Sequence, residues 1–270
     1  MMSDRAKSDI AARNLVVVSY YDRRPLSELI ALLDQLAEVD AGAPFDLCVV
    51  VNATEEGRRI ELPDRHKNVE RLYRENHGYN VGAWQHGWQS RPEYDFYLFL
   101  QDECVIRRPG WLKAFLRAAR RPEIGLVGES LDPFPSWDRF GSFFPEVYQD
   151  CLRVAAGCGI PMGTIADHLQ TLVIGARRDV LERMGGFVLG ESKEEAVAGE
   201  VLASVLARAR GYSVRQVAWL PFEYIAHPQW SSIRTLSRRW YWSVSRAMHL
   251  YLPPGLNDMI PRRRGATTRP

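Results

Sequence analysis

Short, almost wholly apolar runs alternate along this chain with segments of helical period. Leu15-Val-Val-Val-Ser19, Phe45 to Val51, Tyr94 to Leu100, Ile124 to Gly128 and Thr171-Leu-Val-Ile-Gly175 are such runs, rich in β-branched and aromatic residues. They read as strands buried on both faces, as strands are in a parallel sheet. Further strands are expected around Val69 to Tyr73 and over Tyr212 to Leu220. Between the first two runs, Leu26, Leu29, Ile30, Leu33, Leu36 and Ala37 recur at helical spacing behind Pro25, a residue suited to a first helical turn. Helices are also expected at 110–121, at about 178–184 with Gly185-Gly186 as the stop, and at 195–210 ended by Gly211. Gly78 to Ser90 reads as a loop running into a helix. This alternation predicts an α/β fold with a mostly parallel sheet flanked by helices.

Composition narrows the function classes. A net charge of +2 is too mild for a nucleic-acid binder. Cys48, Cys104, Cys151 and Cys158 show no CxxC spacing, so reduced thiols are expected rather than disulfides or a zinc site. Met1 to Arg13 is polar and charged, and no apolar run reaches the roughly 18 residues of a membrane span. A cytoplasmic protein is therefore expected. The stretch 131–170, rich in Pro, Gly, Asp and aromatics, reads as long and irregular, the kind of segment that builds a site.

Four constellations carry chemistry. Asp102 and Glu103 follow a buried strand, at the edge where open α/β sheets bind ligands. They could hold a divalent ion that bridges a diphosphate, or form a solvated acidic turn. Asn76-His-Gly-Tyr-Asn80-Val-Gly82 combines turn-permitting glycines with a helix start whose amides could face phosphate, or it serves only helix–sheet packing. Glu200 lies at the edge of an apolar stripe made by Ala196, Val197, Val201, Val205 and Ala209. Partial desolvation there would raise its pKa and suit it to general-base work; a plain surface carboxylate is the alternative. His227, beside Pro228, is either a metal or phosphate ligand or a structural histidine.

Taken in order, these segments resemble the GT-A glycosyltransferases, especially the bacterial family 2 enzymes that build polysaccharides. The likeness covers about Asn14 to His227. Leu15–Asp22 looks like the family's first strand, and Asn52 stands where the family usually carries an Asp for the base or ribose. Asn76-x-Gly-x-Asn-x-Gly82 is similar to its Asn/Gly-rich loop. Gln101-Asp-Glu103, trailed by Pro109-Gly-Trp-Leu112, looks like its metal-binding Asp-x-Asp segment, with Gln101 in place of the first acid. Gly175 to Phe187 resembles the segment before the catalytic acid. Glu200, eleven residues before Gly211-Tyr212, takes the general-base position; Gly199 replaces the partner acid, and Glu194 and Glu195 are rivals.

The resemblance implies a GT-A, Rossmann-like fold and inverting, metal-dependent transfer from a nucleotide-diphosphate sugar to a hydroxyl of a saccharide or lipid-linked acceptor. It implies Glu200 as catalytic base, and Asp102, Glu103 and His227 around Mn2+ or Mg2+. It implies donor binding by Tyr20, Asp22, Asn52, Asn76, Gly78, Asn80, Gly82 and Asp102. An acceptor wall is expected from 131–170, with Trp137 among the aromatics on which a sugar ring could stack, unless those rings fill a core; Asp167 and His168 are its polar candidates. The expected organisation is a glycosyltransferase domain over 1–232, with a donor half at about 14–128 and an acceptor half at about 129–232. A helical extension over 233–260 and a disordered tail over 261–270 would follow. Leu236, Trp240, Val244 and Tyr251 share one side of that extension among Arg234, Arg238, Arg239 and Arg246. It would pack on the domain, mediate a homodimer, or touch the inner face of a membrane. The weakened acidic motifs keep a second reading open, a catalytically weak or inactive sugar-nucleotide-binding protein. Nucleotidyltransferase and dinucleotide oxidoreductase readings lack their glycine signatures.

Overall fold

The computed structural model describes residues 13–55 and 57–228. The expected extension over 233–260 and the tail over 261–270 lie outside the described residues. In chain order the elements are β1 (Asn14–Tyr21), α1 (Leu26–Glu38), β2 (Asp46–Ala53), a 3-10 turn at Asp64–His66, β3 (Glu70–Glu75), α2 (Tyr79–Ser90), β4 (Phe96–Gln101), β5 (Val105–Ile106) and α3 (Trp111–Ala119). There follow β6 (Ile124–Gly128), β7 (Leu131–Asp132), α4 (Trp137–Phe143), α5 (Pro145–Gly157), β8 (His168–Leu169), β9 (Val173–Arg177), α6 (Arg178–Met184), α7 (Lys193–Ala209), β10 (Ser213–Gln216) and β11 (Ile225–Ala226).

Seven strands form one sheet in the order β10-β6-β9-β4-β1-β2-β3. β1 pairs in parallel with β2 and β4, β2 with β3, and β6 with β10. Only β9 runs against its neighbours, between β4 and β6. The sheet is thus mostly parallel, as the apolar runs predicted. It crosses the expected boundary between the two halves, because β9 and β10 pair with β4 and β6.

Side chains of a strand alternate between faces, so each buried run supplies two cores. Leu15 and Val17 join Val50, Tyr97, Phe99 and Trp84 in the core under α2, α6 and α7. Val16, Val18 and Tyr20 join Val49, Val51, Leu98 and Leu100 under α1 and α3. α1 meets that second core through Leu29, Leu32, Leu33 and Leu36, the i, i+3, i+4, i+7 set of an amphipathic helix.

The stretch 131–170 corrects the sequence reading: it is largely helical. Ser136 caps α4, its hydroxyl accepting from the Arg139 N–H at 3.3 Å, and Pro145 occupies the first turn of α5. Val147, Cys151, Val154 and Ala155 give α5 an apolar face against α7. The strand expected over Tyr212 to Leu220 is confined to Ser213–Gln216.

Glu129, just after β6, is 1% exposed. Its Oε1 accepts from the Ile225 N–H at 2.8 Å, which anchors β11 beside the sheet. Burial pushes its carboxyl up to about 8, against the backbone donors that favour the charge. The folded chain therefore holds a proton that the unfolded chain releases near the ordinary glutamate value, and stability must fall as pH rises from about 5 through 8. Urea denaturation across that window should show a loss on the order of a few kcal/mol in the native chain. Glu129→Gln, which mimics the protonated side chain, should reduce the dependence and leave the share due to the raised carboxyls of Asp102 and Glu200; an unchanged slope would contradict the assignment.

Candidate functional site

Parallel pairing sends the C-terminal ends of β1, β2, β3 and β4 to one edge, and the loops after them meet there. Antiparallel β9 starts at that same edge, since Val173 pairs with Leu100. Thr171 therefore lies beside Gln101, whose Nε2 donates to the Thr171 carbonyl at 3.0 Å. The β5–β11 ribbon, with Val105 opposite Ala226, returns His227 to the same place. His227 Nε2 lies 3.1 Å from Gln101 Oε1 and 3.2 Å from Glu103 Oε2. Burial lowers the pKa of this imidazole, while Glu103 acts the other way.

Asp102 is 4% exposed. Burial pushes its carboxyl up to about 7; Arg24 opposes the shift and Glu103 adds to it. Arg24 Nε is 3.1 Å from Asp102 Oδ2, and its Nη2 contacts both Glu103 and Glu28. Tyr20 fixes the turn that carries Arg24, its buried hydroxyl donating to the Arg24 carbonyl at 2.7 Å. Burial, then Asp102 and Asp22, raise the Tyr20 pKa.

Glu200 is partly buried on α7. Burial pushes its carboxyl up to about 7, eased by the neighbouring Thr171 hydroxyl. Contacts run unbroken from Glu103 through His227 and Gln101 to the Thr171 carbonyl; the Thr171 hydroxyl is buried without a hydrogen bond, so Glu200 stands near this chain of contacts without being joined to it. The rivals stand elsewhere. Glu195 pairs with Arg153 and accepts from the Glu191 N–H at 2.9 Å, capping α7, and Glu194 is exposed.

A cleft of about 810 Å3 opens over the ends of β1, β2 and β3. Tyr21, Arg23, Thr54, Arg59, Tyr73, Arg74 and Asn76 line it, with Glu191 on the far wall. Arg59 stacks over the Tyr73 ring at 4.1 Å, and Arg23 has no ion-pair partner among the described residues. Of the expected donor residues only Asn76 lines this cleft directly. Asp22 and Asn52 are buried beneath it. Asp22 Oδ2 accepts from the Thr54 N–H at 3.0 Å and the Thr54 hydroxyl at 3.2 Å, while Oδ1 is buried with no hydrogen bond. Asn52 Oδ1 accepts from Arg74 Nη1 at 2.8 Å, and Asn52 Nδ2 donates to the Tyr79 carbonyl at 3.0 Å. It clamps the loop before α2. Asn80 Oδ1 accepts from Ser19 Oγ at 3.0 Å. Gly78 has φ 69°, and a Cβ on Gly82 would lie 2.1 Å from the His77 carbonyl oxygen.

The expected metal ligands come close together without converging on one point. Glu103 touches His227, but the Arg24 guanidinium stands between Glu103 and Asp102. Among the described residues no group of three or more His, Cys, Asp or Glu side chains could hold a metal ion. As arranged, the donor set does not fit the expected ion.

On the acceptor side, Trp137 is 7% exposed, its ring stacked on Tyr148 and its indole N–H donating to the Met162 carbonyl at 3.1 Å. It fills a core, one of the two roles left open for these aromatics by the sequence. Asp167 pairs with Arg208. His168 is buried, stacks on Phe134 and lies 3.6 Å from Asp132 Oδ2. Arg24, Thr171, Arg23, Arg59 and Tyr73 escaped the sequence reading. Only the Arg23-Arg24 pair directly after the first strand could have been suspected, from its place at the strand's end.

No family model matches the sequence, and no curated protein matches it. Solved structures with similar arrangements include a mannosyltransferase from Pyrobaculum calidifontis in complex with GDP-Man and Mn2+ (15% identity, TM-score 0.48, 76% of this chain against 54% of that one). Glucosyl-3-phosphoglycerate synthase from Mycobacterium tuberculosis, with Mn2+, UDP and glucosyl-3-phosphoglycerate, is 14% identical (TM-score 0.47, 90% of this chain and 80% of that one). Drosophila β-1,4-galactosyltransferase 7, with manganese, UDP-Gal and xylobiose, is 12% identical (TM-score 0.45, 83% and 74%). The chain spans about half the length of the first of these. At such identities and TM-scores no residue role or activity passes from them to this chain.

The loop before α2 gives a direct test. Gly82→Ala forces its methyl into the His77 carbonyl and toward Arg74, whereas at Gly157 nothing lies within 4 Å of an added Cβ. Overpacking of this kind costs about 1–3 kcal/mol. Thermal unfolding should show a Tm lowered by several degrees for Gly82→Ala and a near-native Tm for Gly157→Ala; equal values would refute the packing account.

Proposed function

We propose that the chain is a glycosyltransferase that takes a sugar from a nucleotide-diphosphate donor and passes it, with inversion, to an acceptor hydroxyl. The observation that carries this reading is the run of contacts from Glu103 through His227 and Gln101 to the Thr171 carbonyl at the sheet edge, with the Glu200 carboxyl close to Thr171 and pushed up to about 7 by burial. In this reading the nucleotide lies over β1, β2 and β3 against Asn76, Tyr73 and Arg59. Asp22 Oδ1, a buried acceptor without a partner, offers itself to a ribose hydroxyl or a base N–H. Tyr20, Asn52, Gly78, Asn80 and Gly82 hold the strand ends and the loop in shape for it. Arg23, unpaired and exposed on the cleft wall, faces the diphosphate. The sugar then points toward Asp102 and Glu200.

Glu200 takes the proton of the attacking hydroxyl. Its carboxyl, pushed up to about 7, is ionised in a useful fraction at neutral pH and still basic enough to accept a proton. The acceptor approaches from the side of β7 and β8, where Asp167 and His168 are held by Arg208 and Asp132. No helix among the described residues is long and apolar enough to cross a membrane.

The inactive-binder reading is favoured by Gln101, whose amide is committed at both ends to Thr171 and His227 and acts as a strut. The two separate by experiment. Thermal shift with UDP-, GDP- and dTDP-sugars should raise Tm for at least one donor; a flat response to all of them would sink both readings. With that donor, labelled-sugar transfer or hydrolysis should fall about 100-fold or more in Glu200→Gln while donor affinity stays the same. In the native chain kcat/KM should climb with pH to a plateau above about 7, because the base works deprotonated, and Glu200→Gln should lose that limb. Binding without turnover in the native chain would favour the inactive binder.

A further inference from the structure

Arg24 is surrounded by three carboxylates. Asp102 Oδ2 is 3.1 Å from its Nε, Glu28 Oε2 is 2.5 Å from its Nη2, and Glu103 touches the same nitrogen. The guanidinium is not held there by charge alone. Tyr20 tethers the Arg24 carbonyl, the Arg24 N–H donates to the Tyr21 carbonyl at 2.9 Å, and Pro25 fixes the following φ. A planar fork with several donors suits this task, since one side chain reaches several carboxylates at once. Burial works against its charge, yet Glu28, Asp102 and Glu103 together raise its pKa, so it stays cationic under all ordinary conditions. The two acids that the sequence marks as seats for a divalent ion are thereby joined by a resident cation.

We propose that Arg24 competes directly with divalent cations for Asp102 and Glu103, and so keeps this carboxylate pair closed to metal ions in the nucleotide-free chain. The significance of this competition for donor binding rests on the glycosyltransferase reading; the competition itself does not. Two full positive centres cannot share the space between the same oxygens, so an incoming ion must first break the Arg24 pairs. Without the guanidinium Asp102 takes up a proton more readily, but at alkaline pH, where it is ionised, the carboxylates are left uncompensated and affinity for a hard divalent ion must rise.

Mn2+ titration of the nucleotide-free full chain at alkaline pH, with free ion followed by electron paramagnetic resonance, tests this. Native protein should bind Mn2+ weakly. Arg24→Gln should bind it about tenfold more tightly or better, a modest share of the attraction regained when a unit charge some 3 Å away is removed. Arg24→Lys, which keeps the charge but loses the fork, should fall between the two and serves alone if Arg24→Gln does not fold. Adding Glu103→Gln to Arg24→Gln should cancel the gain, which places the ion on this pair. Equal affinity in the native chain and the Arg24 variants overturns the proposal, as does weaker binding in the variants or tight binding by the native chain. The donor thermal shifts are read separately, so failure of the glycosyltransferase reading leaves this result distinct.

Discussion

The parallel pairing of β3, β2, β1 and β4 governs almost everything else in this molecule. Parallel strands end on the same side, so each must be followed by a loop there and a return crossover. Covering both faces of the sheet leaves no polar position inside β1 between Leu15 and Val18, and the first polar residues appear where the strand meets the edge: Ser19, then Asp22. The same holds for Asn52 on β2 and Gln101 on β4. The chemistry collects at that edge because the interior excludes it.

Much of the polar inventory there is used to hold the edge itself. Asn52 bridges Arg74 and the turn at Tyr79; Gln101 joins β4 to Thr171 and to His227; Tyr20 pins the turn at Arg24. Several residues that look like ligand-binding groups in a linear reading are supports for others. The open walls are supplied by Arg23 and Arg59 on the loops and by Tyr21, Tyr73 and Arg74 at the strand ends.

The strands were legible because burial on both faces writes itself as uninterrupted apolar sequence. Strand direction was not, since Thr171 to Gly175 has the same character whether it runs with β4 or against it. The helices α4 and α5 were hidden by their prolines and aromatics, which signal turns when counted by composition, although Ser136 and Pro145 are ordinary helix-starting residues. For the site, Asp102, Glu103 and Glu200 could be picked out singly. The contacts that bring Glu103, His227 and Thr171 together could not, because they run through Gln101, an ordinary strand end. The role of Trp137 stayed open in the sequence because a large aromatic in a polar stretch fits a binding face and a small core equally well.

The two-residue ribbon of β5 and β11 has a mechanical consequence. It is short, its anchor is the buried Glu129, and His227 comes directly after it. Whatever the chain does beyond residue 228 begins one step from the imidazole that touches Glu103. A pull applied at residue 228 would shift His227 against Gln101 and Glu103 before it disturbed the sheet.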